Sequence, residues 1–295
     1  MIYTLTCNPA WDYALYTDDI VSGETNRSRS ERLQFGGKGI NVSAVLAQLG
    51  VESVALGFVA GFMGEALECS VRAAGIRTDF VHLPQGQTRI NVKIKAASET
   101  EINAQGPEIP SSAVEELYVK LDALTTDDVL VLAGSVPRSL PSDFYQQIMA
   151  RLSGRGVRFA VDATGRLLCD TLPYRPLVIK PNRRELEEIV GRELPNDEAV
   201  RVAAAELQAR GAQHVLVSLG GDGALLLDAS GQTHRVAAHA IAAVDTVGAG
   251  DSMMAGFLAG LPQGAAYALA LGNAAGAATA ASATLATADE IKQWI

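Results

Sequence analysis

The sequence predicts an α/β protein with one mostly parallel sheet, helices on both faces of that sheet, and a small second sheet. Short apolar runs recur along the chain and are separated by stretches of helical period, which is typical of repeated β-α-β units. Two further stretches, about 12–35 and 88–102, have strand character with no crossover helix within them. The chain has 295 residues, of which 48% are hydrophobic and 19% charged, so it can bury one large core.

The strands of the main sheet are predicted from short runs of Val, Leu, Ile and Ala. The first is Met1–Thr6, because this segment lacks the basic region and long apolar run of a secretory signal. The later strands are 54–59, 129–133, 157–161, 177–179, 215–219 and 224–227. Helices with one apolar face are predicted at 40–49, 64–74, 111–124, 142–152, 182–190 and 197–210. Ligands on such a sheet are expected at the carboxyl ends of its strands.

Polar and apolar side chains alternate along Thr88–Ile94, a predicted strand of the small second sheet. One face carries Arg89, Asn91 and Lys93, and the other carries Ile90, Val92 and Ile94. The cationic face suits a sugar phosphate beneath a lid, although an ordinary half-solvated strand is the alternative. We expect a second copy of the chain to cover the apolar face, because a small sheet leaves exposed edges.

Composition and charge narrow the class of partner. The net charge of −9 and the pI near 5.0 argue against nucleic-acid binding and favour a small metabolite. Three widely spaced cysteines without a C-x-x-C pair fit a reducing cytosol and favour neither disulfides nor a zinc site. The uncharged segment Ala265–Ala288 is too poor in large apolar residues to span a membrane. Its small residues predict close helix packing, with ligand lining as the alternative.

The segment Asp245–Ser252 predicts an anion site. Two glycines, Gly248 and Gly250, precede Asp251 at the start of an apolar-periodic run, so the first turn of a helix would present free backbone N–H groups. The carboxylate of Asp251 has two possible roles. It stabilises the helix dipole by its charge, or it takes a proton from a hydroxyl that attacks a phosphoryl group.

Gly36–Asn41 lies between a predicted strand and a helix. Its glycines allow close approach of a ligand, and Lys38 and Asn41 can bind hydroxyl or phosphate oxygens, although a plain turn is the alternative. The segment is not a Walker A loop, because Gly39 rather than Ser or Thr follows Lys38. Asp12, just beyond the first strand, suits hydrogen bonds from sugar hydroxyls.

Three further segments follow predicted strands. In Lys180–Leu186, Asn182 and Glu185 have the spacing of a capping box, and the same two residues suit the water shell of a magnesium ion. The glycines of Ser218–Gly223 suit a hairpin turn or a nucleotide contact. Ala133–Pro137 ends a central strand and presents Ser135 near the expected ligand site.

Together these segments resemble, in order and spacing, the ribokinase-like phosphofructokinase-B family of sugar kinases. They are Asn8–Asp12, Gly36–Asn41, Thr88–Ile94, Ala133–Pro137, Lys180–Leu186, Ser218–Gly223 and Thr246–Ser252. The resemblance runs essentially end to end. It implies one Rossmann-like kinase domain over 1–295, with the lid of about 12–35 and 88–102 inserted in the core. It also implies transfer of phosphate from ATP, with Mg²⁺, to a sugar phosphate, in a cytoplasmic enzyme that dimerises through the lid.

The resemblance implies a role for each candidate residue. The catalytic set is Asp251 as the base, with Gly248, Ala249 and Gly250 as an anion hole. The substrate set is Asp12, Gly37, Lys38, Gly39, Asn41, Arg89 and Ser135, with Arg27 contributed across a dimer. The nucleotide set is Lys180, Ser218, Gly220, Gly221, Asp222, Gly223 and Gly250. Asn182 and Glu185 are the magnesium-linked pair, acting through water.

The same residues bear on two other classes of protein. A non-catalytic sugar-phosphate sensor would not need Asp251, Glu185 and the double-glycine turn. A dinucleotide-dependent oxidoreductase would carry a G-x-G-x-x-G fingerprint, which the sequence lacks. Which end of a hexose carries the phosphate stays open, because either substrate needs one cationic clamp and one hydroxyl near Asp251.

Overall fold

Fourteen strands form two separate sheets in the computed structural model, which describes residues Met1–Ile295. The strands are β1 (Ile2–Thr6), β2 (Ala10–Tyr16), β3 (Ser30–Gly36), β4 (Ser53–Ala60), β5 (Arg77–Thr78), β6 (Val81–Leu83), β7 (Arg89–Lys95), β8 (Glu99–Asn103), β9 (Val129–Ala133), β10 (Arg158–Asp162), β11 (Val178–Ile179), β12 (His214–Ser218), β13 (Ala224–Leu227) and β14 (Thr233–Val236). The helices are α1 (Lys38–Gln48), α2 (Gly61–Ala73), α3 (Ser111–Leu121), α4 (Phe144–Arg151), α5 (Gly165–Cys169), α6 (Arg183–Val190), α7 (Asp197–Ala209), α8 (Ala249–Gly260), α9 (Ala265–Ala280) and α10 (Ala288–Lys292).

The main sheet has the order β14-β13-β12-β11-β10-β9-β1-β4-β5, and β6 extends β4. All neighbours from β12 to β5 are parallel, whereas β12, β13 and β14 are antiparallel. The predicted mostly parallel sheet is therefore confirmed. The strands that follow β1 pair on both of its sides, β4 on one and β9 on the other, so the strand order reverses there. A ligand cleft is expected at the carboxyl ends of strands at such a switch point.

Two apolar layers sandwich the main sheet, because successive side chains of a strand point to opposite faces. In β9, Leu130 and Leu132 join the cluster formed with α3, α4 and α7. Val131 points the other way and joins the cluster formed with α1, α8 and α9. Central strands covered on both faces consist of near-continuous apolar residues, as the runs in the sequence indicate.

The second sheet, which we call the lid, has the order β3-β2-β7-β8. The pairing of β2 with β7 is parallel, and the two outer pairings are antiparallel. The predicted alternation in β7 is confirmed, since Asn91 and Lys93 are buried and Ile90 is exposed. The lid strands come from the two stretches expected to form it, and residues 17–29 between β2 and β3 contain no regular element.

The small-residue segment forms the expected close helix packing. A methyl group at Gly256 of α8 would lie 2.6 Å from the carbonyl oxygen of Leu271, and one at Gly272 of α9 would lie 2.8 Å from that of Met253. The two backbones are therefore in direct contact. The helix ends at Ala280 rather than continuing to Ala288, because a turn over 281–287 separates α9 from α10. No helix has both the length and the apolar character needed to cross a membrane.

Candidate active site

A cavity of about 670 Å³, which we call the sugar cleft, lies between the carboxyl edge of the main sheet and the lid. Strand ends, the first turns of α1 and α8, and side chains of β2 and β7 form its walls. The candidate residues that line it are Asp12, Gly37, Lys38, Asn41, Arg89, Ser135, Lys180, Asn182, Glu185, Ser218, Gly248, Gly250 and Asp251. The fold thus brings together residues that are up to about 240 positions apart in the sequence.

Asp251 lies in the first turn of α8 and is 5% exposed. Its Oδ2 accepts a hydrogen bond of 2.8 Å from Nδ2 of Asn41, which belongs to the first turn of α1. This bond fixes the carboxylate and leaves Oδ1 without a protein donor. Asp251 is therefore a buried carboxylate directed at a cleft, which is the arrangement required of a general base.

The turn before Asp251 presents backbone donors. Gly248 has φ of 81°, a left-handed conformation that glycine adopts without strain, and it caps α8. The N–H groups of Gly248, Gly250 and Asp251 have no acceptor within the protein. The predicted use of the Ala249 amide needs correction, because that N–H donates to the Thr246 carbonyl at 3.2 Å. The free donors for an anion are those of Gly250 and Asp251, with Gly248 beside them.

A second buried carboxylate, Asp162 at the end of β10, lies in the same cleft and is 1% exposed. Its Oδ1 is 3.2 Å from Nζ of Lys38, and its Oδ2 is 3.4 Å from Nζ of Lys180. A methyl group at Gly250 would lie 3.1 Å from that same Lys180 nitrogen. Asp162 thus holds one lysine at the start of α1 and another beneath the turn that precedes Asp251.

Burial raises the pKa of Asp251 to about 6, and the negative charge of Asp162 adds to this shift. Lys38, the hydrogen bond from Asn41 and Lys180 act in the opposite direction. Burial alone would raise the pKa of Asp162, but the charges of Lys180 and Lys38 outweigh it and lower the pKa. One carboxylate is therefore held ionised while the other has a pKa close to neutral pH, as a general base requires.

Asp12 is held by the polar face of the lid. Its Oδ1 accepts a hydrogen bond of 2.9 Å from Nδ2 of Asn91, and its Oδ2 accepts one of 3.2 Å from Nζ of Lys93. Both donors belong to β7, whose cationic face was predicted to serve a ligand. A carboxylate fixed in this way can accept further hydrogen bonds from sugar hydroxyls in the cleft.

Arg89 begins β7 and lines the cleft. Its Nε donates to the carbonyl of Asn8 at 3.1 Å, and its Nη1 donates to that of Ala104 at 3.0 Å. Burial lowers the pKa of Arg89, and the charge of Asp12 opposes this shift. The guanidinium stays charged at neutral pH, and its orientation is fixed by backbone groups rather than by an acid.

A second cavity of about 600 Å³, which we call the nucleotide cavity, lies on the other side of the Gly250 turn. Gly220, Gly221 and Gly223, from the turn between β12 and β13, line it. The two cavities share Asn182, Ser218 and Gly250. A ligand that fills the nucleotide cavity can therefore present one end to a second ligand beside Asp251.

Asn182 and Glu185 form the predicted capping box at the start of α6. The Asn182 Oδ1 accepts from the Glu185 backbone at 2.8 Å, and the Glu185 Oε2 accepts from the Asn182 backbone at 2.9 Å. Both residues also line the sugar cleft, so their capping role is compatible with a contact to a ligand there. No group of three or more His, Cys, Asp or Glu side chains forms a metal cage. The donors present suit Mg²⁺ held through water and nucleotide phosphates.

Three candidate residues lie outside the two cavities. Gly39 is buried against β1, where a methyl group would be 2.6 Å from Thr6 Oγ1, so it serves packing rather than ligand contact. Asp222 does not line the nucleotide cavity and instead pairs with Arg183 at 3.1 Å. Arg27 lies in the exposed segment between β2 and β3 and lines neither cavity.

Sequence reasoning missed Asp162 and several residues of the nucleotide cavity. Asp162 directly follows the apolar run of β10, so the rule that ligands lie at strand ends would have found it. Asn273 is the only Asn of α9, and it lines the nucleotide cavity with Gly276 and Ala277. Helix α9 therefore packs closely on α8, as predicted, and also lines this cavity.

A buried carboxylate with free backbone donors, at the junction of two cavities, defines a site that transfers a phosphoryl group between two small molecules. Residues 6–291 match the family described as pfkB family carbohydrate kinase. The 1-phosphofructokinase of Bacillus subtilis is 40% identical, over 100% of this chain and 97% of the relative. The D-tagatose-1-phosphate kinase of Bacillus licheniformis is 36% identical, over 99% of this chain and 97% of the relative.

A solved structure of phosphofructokinase-2 from Escherichia coli, in complex with substrates and products, superposes with a TM-score of 0.93. The two sequences are 29% identical, and the match covers 99% of this chain and 97% of the phosphofructokinase-2 chain. The chain belongs to the pfkB family of carbohydrate kinases. The predicted ribokinase-like fold and the predicted enzyme class are thereby confirmed.

Proposed function

We propose that this protein is a 1-phosphofructokinase, which transfers the γ-phosphoryl group of ATP to the C6 hydroxyl of D-fructose 1-phosphate. The products are fructose 1,6-bisphosphate and ADP. The observation that carries the proposal is the junction of the two cavities at Asn182, Ser218 and Gly250, with Asp251 on the sugar side. The relatives that are 1-phosphofructokinases support the choice of sugar.

In this mechanism Asp251 accepts the proton of the C6 hydroxyl as that oxygen attacks the γ-phosphorus of ATP. A bond forms between the sugar oxygen and phosphorus, and the bond from phosphorus to the departing ADP oxygen breaks. The free N–H groups of Gly250 and Asp251 stabilise the negative charge on the transferred group. Lys38 and Lys180, positioned by Asp162, add positive charge at the same place.

The remaining residues of the cleft bind and orient the sugar. Asp12 accepts hydrogen bonds from its hydroxyls, Asn41 both accepts and donates such bonds, and Ser135 contributes from the end of β9. Arg89 binds the phosphate that the sugar already carries, since a fixed guanidinium matches phosphate oxygens. We assign Mg²⁺ to Glu185 and Asn182 through water. When bound, it neutralises charge on the ATP phosphates.

D-tagatose 1-phosphate is the second candidate substrate, because a kinase for that sugar phosphate is among the similar relatives. Tagatose 6-phosphate and fructose 6-phosphate, which carry the phosphate at the opposite end, are further alternatives. A non-catalytic sugar-phosphate sensor is the alternative of a different class. All three cysteines are unpaired, which accords with the cytoplasmic location that we also propose.

A coupled ADP-release assay tests the reaction. We expect ATP- and Mg²⁺-dependent ADP release with fructose 1-phosphate at a kcat/KM at least about tenfold above that with fructose 6-phosphate or tagatose 6-phosphate, a difference of about 1.4 kcal/mol. Tagatose 1-phosphate and unphosphorylated fructose complete the series. A higher kcat/KM for either 6-phosphate would reject the proposed substrate. The absence of ADP release with every sugar phosphate would favour the sensor.

We also propose a homodimer formed through the outer face of the lid. Leu33, Tyr13, Val92 and Ile102 are paired in register across all four lid strands, so they share that face. Leu33 is 52% exposed and Ile102 is 59% exposed, which leaves an apolar row open to a partner. A partner on this face would bring its own lid close enough for Arg27 to contact the other subunit.

Sedimentation velocity tests the dimer. The unmodified protein is expected to sediment as a dimer, and Leu33→Glu is expected to sediment as a monomer because it places a charge in the apolar row. Val119→Glu, at an exposed apolar position on α3, is the control and is expected to remain dimeric. A monomeric unmodified protein, or a dimeric Leu33→Glu variant, contradicts this interface.

A further inference from the structure

An ion pair joins the lid to the segment that leads into the turn before Asp251. Nη2 of Arg32, on β3, donates to Oδ2 of Asp245 at 3.1 Å, and the two residues are 213 positions apart. Their side chains are 21% and 12% exposed, so the pair is largely shielded from water. Nζ of Lys95, on β7, lies 4.0 Å from the other oxygen of the same carboxylate. We call Arg32, Lys95 and Asp245 the latch.

The two cations of the latch lie on the face of the lid that meets the sugar cleft. Arg32 is opposite Ala14 in the strand register. Lys95 is opposite Tyr16. Alternate residues of a strand share a face, so both cations lie on the same face as Asp12, which lines the cleft. A ligand that binds Asp12 and fixes the lid therefore also fixes the cations of the latch.

Asp245 fixes the backbone that separates the two cavities. Its Oδ1 accepts a hydrogen bond of 3.1 Å from the N–H of Val247, directly before Gly248. Thr246 lines the nucleotide cavity, and Val247 lines the sugar cleft. None of the three latch residues lines either cavity. The latch therefore acts on both sites only through the backbone that it holds.

The ion pair of the latch is only half formed in this structure. Nε of Arg32 is buried and has no hydrogen-bond acceptor. Nε and Nη2 lie on one edge of a guanidinium and can bind a carboxylate together. Arg151 does so with Asp122, at 3.0 and 2.6 Å. A buried donor without an acceptor costs free energy, so a small movement that brings Nε of Arg32 to the Asp245 carboxylate is favourable.

We propose that the latch couples the binding of the two substrates. Sugar phosphate in the cleft draws the lid onto the core, and Arg32 then binds Asp245 with both donors. The backbone before Gly248 is thereby fixed in the position that receives the nucleotide phosphates. Arg32 is thus a positioning residue that acts through Asp245. The inference goes beyond the proposed function but rests on it, because it requires two ligands in adjoining cavities.

Calorimetric titration with Mg²⁺ and AMP-PNP, an ATP analogue whose γ-phosphoryl group is not transferred, measures the coupling. In the unmodified protein, saturating fructose 1-phosphate is expected to lower the Kd of AMP-PNP at least about fivefold. In Arg32→Gln the same ratio is expected to fall below about twofold. The Kd of AMP-PNP alone should stay unchanged, because Arg32 does not line the nucleotide cavity. An unmodified protein without coupling, or an unchanged ratio in Arg32→Gln, would overturn the proposal.

Three further variants separate the latch from a general loosening of the lid. Arg32→Lys keeps the charge but not the fork of donors, so it is expected to keep part of the coupling. Arg151→Gln breaks an Arg–Asp pair on α4 and is expected to keep all of it. Asp245→Asn is expected to lose as much coupling as Arg32→Gln. The double variant should lose no more than either single one, because both changes remove one interaction, and additive losses would contradict the latch.

Steady-state kinetics give a second measurement. At saturating fructose 1-phosphate, the KM for ATP is expected to rise at least about fivefold in Arg32→Gln and to stay unchanged in Arg151→Gln. A KM for ATP that is the same in both variants would count against the latch.

The ADP-release assay tests the proposed function separately from the latch. If that assay selects another sugar phosphate, the proposed substrate is wrong, and the same titrations with the selected compound judge the latch alone. A sensor that releases no ADP would still show coupling that depends on Arg32 if the latch is correct. If no sugar phosphate of the assay series changes the Kd of AMP-PNP, the latch is wrong whatever the reaction.

Discussion

Asp251→Asn is expected to lower kcat at least about a hundredfold, which is the usual loss when a positioned general base is removed. The fold should be retained, because an Asn side chain has nearly the same shape and its Oδ1 can accept the hydrogen bond from Asn41. The free N–H groups of the preceding turn would remain, so weak residual activity is expected. The KM values for both substrates should change much less than kcat.

Single-turnover phosphoryl transfer is the measurement, with Asp289→Asn as the control. Asp289 is an exposed carboxylate in the first turn of α10 that lines neither cavity, and its replacement is expected to leave kcat unchanged. A near-normal kcat in Asp251→Asn would show that another group accepts the proton.

Thermal unfolding of the same variant gives a second test. The pKa of Asp251 is raised in the folded state, so its contribution to stability is complete only below the ordinary carboxyl pKa of 3.8 and is lost as pH rises through about 6. Asp251→Asn does not titrate, so its melting temperature should rise relative to the unmodified protein between pH 4 and pH 8.

Asp162→Asn is expected to change both stability and the pH dependence of the reaction. Asp162 and Lys180 are both nearly completely buried, so removing the acid leaves a buried cation without its partner. Breaking a buried pair in this way costs about 3–5 kcal/mol of unfolding free energy. Asp122→Asn is the matched control, because Asp122 pairs with Arg151 in a more exposed setting where a cost of at most about 1 kcal/mol is expected.

The pH profile distinguishes this role of Asp162 from a purely structural one. The acid limb of kcat/KM in the unmodified enzyme is expected near pH 6, where Asp251 becomes protonated. Removing the negative charge of Asp162 makes ionisation of Asp251 easier, so its pKa falls and the limb moves to lower pH. An acid limb that stays in place in Asp162→Asn contradicts the electrostatic coupling. If the substitution lowers only the stability, the acid limb stays near pH 6 when the variant is assayed well below its melting temperature.

The sequence alone determined the architecture and much of the site, because both depend on local patterns. Apolar runs with flanking helical periods predicted the parallel sheet, and their ends predicted where the site residues lie. The alternation along β7 predicted which face of the lid is polar. Two glycines followed by Asp251 at a helix start predicted an anion turn with a carboxylate. Each of these signals involves residues close in the chain, where backbone geometry alone decides the result.

Only the tertiary structure decided which of these residues act together. The contact of Asn41 with Asp251 joins residues 210 positions apart, and that of Lys38 with Asp162 joins residues 124 apart. Asp162, whose charge has the largest effect of any charge on the pKa of Asp251, was not singled out from the sequence, because one acid at a strand end resembles many others. Burial, and the distance between charges from different strands, set the pKa of a carboxylate. These quantities exist only once the sheet order has placed the strand ends side by side.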